Sequence, residues 1–370
     1  MKLTKSTFII LLALNILILT AFKARASDPF SVITITNRLN HPWGMAFLPN
    51  GDILVTERPG QLRIIKKGVL APHPIKGLPE VVVRGQGGLL DVALHPQYNK
   101  NGWIYLSYSG AGGGGIGTEV VRGKLVGNSL KMLQKIFVLQ PKSRAGHHFG
   151  SRIVFDDKNH IYITIGDRGD RPRVQKIDDP AGSIVRLNDD GSIPKDNKWQ
   201  GSATDAKMIY SYGHRNPQGL FFDKKTKILW EHEHGPRGGD ELNIIQSGKN
   251  YGWPIISYGV EYISRFKIGE GTHKKGMEQP IHYWVPSIAP SGMTVYHGNK
   301  FPEFNGDIFI GALKFQLLVH LKMEGNKVIK EERYLKEKVG RIRDVRTGKD
   351  GYIYILTDKR NGQLLRLQPK

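Results

Sequence analysis

Four basic side chains in this sequence could together bind an anionic ligand. Lys314, Arg341 and Arg343 lie in the C-terminal part of the chain, and Arg215 lies well before them. The planar guanidinium of arginine binds a carboxylate through two parallel hydrogen bonds. Arg341 and Arg343 are two positions apart, so on a strand they would share one face. They predict a site for an anionic ligand, unless the two arginines are merely solvated strand ends.

His148 is the candidate general base. The imidazole ring is the side chain best suited to accept a hydroxyl proton near physiological pH. A structural or metal-binding role competes with this interpretation, because His147 precedes it and His232 and His234 lie elsewhere in the chain. The segment around His232 lacks the H-E-x-x-H spacing of a helical zinc site. Adjacent positions of a strand face opposite sides, so only one of the two histidines can face the channel. We expect this residue to be His148, with His147 as the second choice.

The elements that must position these side chains are repeated. Each repeat has a Gly-containing entry, an apolar run, a polar turn and a second β-rich run that ends near Ser, Thr or Gly. A two-strand unit of this kind cannot bury its own apolar face and must pack beside its neighbours. The six repeats begin at Gly44, Gly87, Gly150, Gln218, Gly292 and Arg343.

Six such repeats predict an all-β fold, a six-bladed β-propeller of four-stranded antiparallel blades. In this fold, residues just before the inner strand and just after the second strand open at the same end of the central channel. We therefore expect polar residues from distant repeats to meet at one mouth. The residues at these positions are Gln86, His148, Arg215, Asn216, His234, Asp240, Lys314, Arg341 and Arg343.

The N-terminus has the pattern of a secretory leader. Two lysines precede an apolar run over Phe8–Phe22, and a small-x-small pattern ends at Ala26. The run has 15 residues, fewer than the roughly 20 that span a bilayer. We expect residues 1–26 to be a signal peptide and residues 27–370 to be one propeller domain, periplasmic or secreted, with no membrane span. The alternative is an uncleaved anchor, because basic residues follow the run directly.

Composition excludes several kinds of chemistry. The chain has no cysteine, which rules out thiolate zinc, iron–sulfur and cysteine-nucleophile sites. The formal net charge is +21, or +17 without the four basic residues of the leader. Such a charge is compatible with nucleic acid, an anionic membrane surface or an acidic ligand. The lysines are dispersed and not interleaved with exposed aromatic residues, so we expect a solvated basic surface and no nucleic-acid partner.

Several sequence strings are more specific than ordinary propeller strands. They are GQGGLLDVALHP from Gly85, HFGSRIVFD from His148, GHRNPQGLFFD from Gly213, HEHGPRGGDELN from His232, NYGWP from Asn250 and GRIRDV from Gly340. With Leu313-Lys314, these strings resemble the soluble quinoprotein glucose/sorbosone dehydrogenase family, in particular its periplasmic aldose sugar dehydrogenase branch. The resemblance keeps its order from about Leu39 to Leu367.

The resemblance implies a propeller that holds pyrroloquinoline quinone (PQQ) and Ca²⁺ at its mouth. It implies oxidation of the C1 hydroxyl of aldoses to aldonolactones, with hydride transfer to PQQ and reoxidation by an external electron acceptor. His148 would be the base, and Arg215 would help Ca²⁺ to polarise the quinone carbonyl. The residues that match the family's quinone-binding positions are Gln86, Arg215, Asn216, Lys314, Arg341 and Arg343.

The resemblance also implies metal ligands. The backbone carbonyls of Gly235 and Pro236 match those that bind the Ca²⁺ ion at the mouth. Ca²⁺ prefers oxygen ligands, and a Gly-Pro turn exposes consecutive carbonyls. Glu241 and Tyr251 match part of a second, structural Ca²⁺ site, whose other ligands the sequence does not identify.

Two further residues are candidates for contact with the sugar. Asp240 could orient the substrate, bind Ca²⁺ through water or cap a turn. Trp284, with Tyr283, could form a wall on which a sugar stacks, or could pack inside a blade.

Two other functions fit a six-bladed propeller. A Ca²⁺-dependent lactonase needs carboxylates that point down the channel, and the inner positions offer few, mainly Asp240 and Asp167. A binding propeller without enzymatic activity is the second alternative, because a fold alone does not imply catalysis. The cations at the predicted mouth favour the dehydrogenase over both.

Overall fold

A computed structural model describes residues 28–202 and 204–370. These residues form six four-stranded antiparallel sheets around a central channel. The predicted all-β, six-bladed propeller is confirmed. The predicted signal peptide, residues 1–26, lies outside the described residues. No helix in the described ranges is long and apolar enough to cross a membrane.

The described part of the chain contains 24 strands. The first twelve are β1 (Phe30–Leu39), β2 (Pro42–Phe47), β3 (Ile53–Glu57), β4 (Gln61–Lys66), β5 (Val69–Leu70), β6 (Leu89–Leu94), β7 (Trp103–Gly112), β8 (Gly115–Val126), β9 (Ser129–Val138), β10 (Ile153–Phe155), β11 (Ile161–Ile165) and β12 (Ser183–Leu187). The others are β13 (Ile209–Tyr212), β14 (Pro217–Asp223), β15 (Ile228–Glu233), β16 (Asp240–Ile244), β17 (His282–Trp284), β18 (Pro290–Val295), β19 (Ile308–Ala312), β20 (Leu317–Glu324), β21 (Lys327–Tyr334), β22 (Ile342–Thr347), β23 (Ile353–Thr357) and β24 (Gly362–Pro369).

Short helices occur only between the strands. One α-helical turn, α1, spans Tyr98–Asn101. Three 3₁₀ helices span Arg171–Arg173, Thr204–Met208 and Pro302–Phe304. The described chain is therefore almost entirely strands and the loops that join them.

The blades follow the chain, and the last one closes the ring. Blades one to five take four consecutive strands each, from β2 to β21. Blade six combines β22, β23 and β24 with the N-terminal strand β1, and Phe30 pairs with Pro369. The inner strands contact one another around the ring, and β2 touches both β6 and β22. The first and last described strands thus belong to one sheet.

Apolar side chains fill each space between neighbouring blades. Six large buried clusters correspond to the six blade interfaces. Leu54 and Leu89, for example, share the cluster between blades one and two. Each sheet thus buries its faces against its neighbours, as the repeats predicted.

Hydroxyl groups near the ends of the second strands link neighbouring blades. Ser107 Oγ donates to the carbonyl of Ser151 at 2.7 Å, and Thr164 Oγ1 donates to the carbonyl of Pro217 at 3.2 Å. Thr56 makes the same kind of bond from blade one to blade two. The Ser and Thr residues that end several repeats therefore have a structural role.

Two aspartates and two arginines fill part of the central channel. Arg152 Nη1 lies 3.2 Å from Asp91 Oδ1 and 3.1 Å from Asp344 Oδ1. Arg346 contacts the same two carboxylates, at 3.0 and 3.1 Å. A Cβ at Gly292 would lie 2.1 Å from Asp344 Oδ1, so only glycine admits that carboxylate. The formal charges of the four side chains cancel.

Candidate active site

The structure brings six of the residues predicted at the mouth, including His234, to one cavity of about 690 Å³ at one end of the channel. Four different blades contribute them. Gln86 and Asn216 precede inner strands β6 and β14, Lys314 follows β19, and Arg341 and Arg343 lie at the start of β22. Strand ends alone therefore place these side chains around a common space.

The cavity is basic. Arg58, Lys359 and Arg360 also line it, and Asp358 is the one carboxylate among the described lining residues. Asp358 Oδ2 accepts a hydrogen bond from Arg343 Nη2 at 2.7 Å, and Arg341 Nη2 lies 3.5 Å away. One ionised carboxylate thus holds two guanidinium groups side by side.

Asp358 stays ionised in spite of its burial. Burial alone would raise the pKa of its carboxyl group, but the charge of Arg343, the hydrogen bond from His41 and the charge of Arg341 hold that pKa well below its usual range. Arg343 Nε is buried and has no hydrogen-bond partner among the described residues. The arginine pair therefore retains unused donor capacity beside the cavity.

His148 lies at the edge of this cavity, and its neighbours Phe149 and Gly150 line it. The main-chain N–H of His148 donates to Gln86 Oε1 at 2.8 Å. Its Nδ1 lies 2.7 Å from Asp167 Oδ1, and Nε2 has no partner among the described residues. Asp167, an ionised acceptor, therefore favours the proton on Nδ1 and leaves Nε2 free to act as a base.

Burial and charge keep the imidazole neutral. Burial lowers the pKa of His148, the hydrogen bond to Asp167 opposes this shift, and nearby Arg215 adds to it. Burial would raise the pKa of Asp167, but its bond to His148 gives a net lowering. Asp167 Oδ2 also accepts a hydrogen bond from Trp253 Nε1 at 2.9 Å. The pair is thus a neutral imidazole held by a fixed carboxylate.

The two adjacent histidines do not face opposite sides. The ring centroids of His147 and His148 lie 4.5 Å apart in an edge-on contact. Neither residue is in a strand, and His148 has a left-handed backbone conformation with φ 55°. The expectation based on strand alternation is wrong here because alternation holds only for extended backbone.

Arg215 lies beside the cavity rather than in its wall. Its Nη1 donates to the carbonyls of His234 and Gly235, both at 2.9 Å. Its guanidinium carbon is 5.3 Å from the centre of the Trp253 ring. Arg215 is thus next to Gly235, one of the two residues predicted to bind Ca²⁺ with its carbonyl.

The structure corrects the predicted substrate role of Asp240. This side chain is fully buried, and its Oδ1 accepts the N–H of Gly235 at 2.9 Å. Oδ2 accepts from Ser287 Oγ and from the N–H groups of Ile288 and Ala289, at 2.8 to 2.9 Å. Burial raises the pKa of Asp240 to about 6, while these hydrogen bonds oppose that rise. With four donors on its two oxygens, Asp240 caps a turn and holds the loop of Gly235.

The predicted substrate role of Trp284 is also wrong. Its side chain is buried in the apolar cluster between blades four and five. Its Nε1 donates to Glu331 Oε2 at 2.9 Å. Trp284 belongs to β17, the outermost strand of blade four, which points it away from the channel. Tyr283, by contrast, is exposed and stacks on Tyr258 at 4.0 Å.

Glu241 lies in a buried acidic group near Tyr251. Glu233 pairs with Glu241 across the sheet, and Glu231 and Glu233 share a face of β15. Burial raises the pKa of Glu231 and Glu241 well above the usual value. The ligand atoms of His214, Glu231 and Glu233 lie within 4.8 Å of one another. Tyr251 stacks on His214 at 4.7 Å, so three further side chains that could bind a metal lie close to the two residues predicted for a second site.

Two residues of the cavity, Asp358 and Arg58, received no role from the sequence, and Asp167 was named only as a possible carboxylate of the channel. Asp358 follows β23 directly, and Arg58 follows β3 directly. Asp167 comes two positions after β11. All three lie where a second strand ends, so the rule that found Lys314 also applies to them. Trp43, which also lines the cavity, lies inside β2, and the strand-end rule does not reach it.

Comparisons with known proteins agree with this geometry. The profile of the family described as Glucose / Sorbosone dehydrogenase matches residues 39–366. The chain belongs to this family. It is therefore a sugar dehydrogenase, and the predicted enzyme class and family are confirmed. Membership of this dehydrogenase family favours neither the lactonase nor the binding propeller.

Individual members of the glucose/sorbosone dehydrogenase family are similar over most of their length. The aldose sugar dehydrogenase YliI of Escherichia coli is 45% identical, over 92% of this chain and 93% of the relative. The crystal structure of the soluble aldose sugar dehydrogenase of Escherichia coli in the apo-form covers 92% of this chain and all of its own, with 44% identity and a TM-score of 0.89. A PQQ-bound aldose sugar dehydrogenase from Streptomyces coelicolor covers the same share, with 28% identity and a TM-score of 0.75.

Proposed function

We propose that this protein is an aldose dehydrogenase that uses PQQ and Ca²⁺. It would oxidise the C1 hydroxyl of aldoses to aldonolactones and pass the electrons to an external acceptor. The observation that carries the proposal is the basic cavity beside His148, whose Nδ1 is held by Asp167. A cavity lined by cationic side chains, next to a neutral imidazole that can accept a proton, suits an anionic oxidant and an alcohol substrate.

The residues of the cavity fit PQQ, which is a planar tricarboxylate. Lys314, Arg341 and Arg343 supply three cations, and Asp358 neutralises only part of their charge. The unpartnered Nε of Arg343 offers a further donor. Arginine forks bind carboxylates in two-point contacts, and Gln86 and Asn216 add neutral hydrogen-bonding groups.

The loop of Gly235 and Pro236 fits Ca²⁺. Backbone carbonyls are ligands that this ion accepts. Asp240 fixes the loop through the N–H of Gly235. The carbonyl of Gly235 accepts one hydrogen bond from Arg215, which leaves one lone pair for an ion. The loop therefore offers rigid oxygen ligands next to Arg215, one of the residues predicted to bind PQQ.

The chemistry divides between the cofactors and the protein. When bound, PQQ supplies a quinone that accepts a hydride from the sugar, and Ca²⁺ supplies a positive charge that polarises it. His148 Nε2 takes the proton of the C1 hydroxyl. Asp167 holds the ring in the required tautomer and stabilises the imidazolium that forms. Trp253 donates to the other oxygen of Asp167, so this carboxylate is held in place through both of its oxygens.

The proposal also places the enzyme outside the cytoplasm. Its support is the leader pattern of residues 1–26, which predicts export to the periplasm or beyond. The mature chain would then begin at Ser27, directly before the first described residue. N-terminal sequencing of the native protein tests this, and an intact Met1 would contradict it.

Cofactor binding tests the proposed function directly. Removing one charge-assisted hydrogen bond, worth about 1.5 to 3 kcal/mol, should weaken PQQ binding roughly tenfold to 150-fold in Lys314→Ala and in Arg343→Lys. Titration of the apoprotein with PQQ measures this. Lys349→Ala, on the cavity at the opposite end of the channel, is the control and should bind PQQ normally. Unchanged PQQ affinity in both Lys314→Ala and Arg343→Lys would refute the proposed PQQ site.

A further inference from the structure

Exposed apolar side chains are concentrated in one part of the surface. Tyr262, Ile263 and Phe266 are 55%, 95% and 74% exposed, and Tyr283 and Val285 are 47% and 62% exposed. We call these five residues the rim patch. All exposed Phe, Tyr and Trp side chains of the described residues belong to it. The clustering distinguishes the rim patch from the single apolar residues that are scattered over any protein surface.

The residues of the rim patch are connected through one loop and its neighbours. Tyr262, Ile263 and Phe266 lie on the tip of a hairpin-like loop, closed by a bond from the N–H of Glu261 to the carbonyl of Phe266 at 2.9 Å. Tyr283 joins this loop by stacking on Tyr258 at 4.0 Å. Val285 packs on Gly238, next to Arg237, whose Nη1 donates to the carbonyl of Tyr262.

The base of this loop is fixed beside the catalytic pair. Arg171 makes a two-point contact with Glu261, at 2.6 and 3.0 Å. The Arg171 guanidinium also lies 5.0 Å from the ring centre of Trp253, the residue that donates to Asp167. Ile268 is buried against Trp253. The tip is therefore held outward, at the rim of the mouth, by a packed base.

The charges around the tip are positive. Arg265 and Lys267 flank Phe266, and Arg237 contacts Tyr262. The acid of the loop, Glu261, is paired with Arg171. Aromatic and aliphatic tips between basic side chains are typical of segments that enter the headgroup layer of an anionic bilayer.

Other occupants fit less well. A platform for a long saccharide would present aromatic faces with polar partners, and Ile263 and Val285 offer neither. A protein partner would need a complementary surface, whereas three apolar side chains on a protruding tip suit a fluid layer. The positive net charge of the chain adds long-range attraction to anionic lipid.

We propose that the rim patch binds the surface of an anionic membrane, with Tyr262, Ile263 and Phe266 among the headgroups. The protein would lie on the bilayer with its cavity mouth close to the lipid. If the proposed dehydrogenase function holds, lipid-soluble electron acceptors would then reach the mouth directly. Binding itself does not depend on that function.

Vesicle binding tests the proposal. The chain from Ser27, which contains all 24 described strands, is mixed with vesicles of equal phosphatidylglycerol and phosphatidylcholine, or of phosphatidylcholine alone. We expect binding to the anionic vesicles at about 0.15 M salt, weakening as salt rises. Ile263→Ser with Phe266→Ser should lower the partition coefficient at least about tenfold. Val69→Ser with Val126→Ser, two exposed apolar residues on other blades, should change it less than about twofold.

The outcomes separate the alternatives. Absence of binding to anionic vesicles, or equal loss in the tip and control variants, overturns the proposal. So does a tip variant that keeps vesicle binding but loses affinity for an oligosaccharide. Glucose oxidation by the tip variant with a soluble dye should equal that of the parent protein. Vesicle binding without any sugar oxidation would refute the proposed function and leave the membrane site standing.

Discussion

The protonation state of His148 depends mainly on its burial. The pKa of the ring is lowered from the ordinary histidine value. Burial is the largest cause, and the charge of Arg215 is a smaller one. Asp167 opposes both, because it favours the charged ring. Burial thus favours the neutral, proton-accepting form of His148, and the charge of Arg215 adds to this effect.

The pH dependence of sugar oxidation follows from this. The neutral ring is the active form, so the rate should be lost as pH falls through the pKa of His148. Because that pKa is lowered, the loss should occur below about 6.5, the ordinary histidine value. Single-turnover oxidation of glucose by the reconstituted enzyme, measured across pH, checks this. A loss above pH 6.5 would identify a different base.

Substitutions complete the test of this base. His148→Ala should lower the rate by about 10² to 10⁴, the usual contribution of a positioned base. Asp167→Asn should lower it at least about tenfold and move the pH midpoint down, because Asp167 raises the pKa of His148. His147→Ala is the matched control, since its ring touches His148 but has no bond to Asp167. A dead His147 variant with an active His148 variant would exchange their roles.

Most residues of the site lie at the ends of strands. Their positions could be predicted from the sequence, because the ends of the strands follow the repeat. The repeat predicts where an inner strand begins and where the second strand ends, so Gln86, Lys314 and Arg343 could be placed at one mouth from the sequence alone. Loops beyond the strand ends follow no such period. Asp240 begins β16 and turns inward to cap the Gly235 loop, a direction that no repeat pattern contains.

Outer strands explain the error at Trp284. Trp284 comes shortly before the fifth repeat, but the chain forms β17 there, at the far edge of blade four. At this position Trp284 packs between blades four and five, away from the channel. The long insertion before β17 hid this, because sequence analysis could not assign a strand within it.

Trp284→Phe distinguishes a packing role from a sugar wall. The variant leaves the carboxylate of Glu331 without one donor, so the free energy of unfolding should fall by about 1 to 3 kcal/mol. The KM for glucose should stay within about twofold. Trp230→Phe is the control, because Trp230 lies in the same cluster and its Nε1 has no partner. Chemical denaturation and steady-state kinetics check both, and a large rise in KM at unchanged stability would restore the sugar-stacking role.

At the scale of the whole molecule, closure of the ring depends on β1. This strand pairs with β24 along most of its length and completes blade six. Phe30 also packs among Phe301, Phe304 and Phe309 in the core between blades five and six. The N-terminal strand therefore contributes both hydrogen bonds and buried apolar area.

Removing β1 should abolish stable folding. A chain that begins after Leu39 would expose the edge of β24 and the apolar cluster around Phe30. We expect it to aggregate or to lose the cooperative thermal transition seen by circular dichroism. A chain that begins at Ser27 is the control and should unfold cooperatively. An equally cooperative transition in both chains would show that the other strands suffice.

The buried ion pairs of Asp91 and Asp344 with Arg152 and Arg346 divide the central channel into two parts. Asp91 and Asp344 are fully buried and Arg152 nearly so, so these side chains fill this part of the axis. The cavity of about 840 Å³ at the opposite end, which Arg346 lines, is therefore a separate compartment. If the proposed function holds, sugar, lactone and electron acceptor share one doorway. They must take turns there, so that the outgoing electrons leave by the path through which the sugar entered.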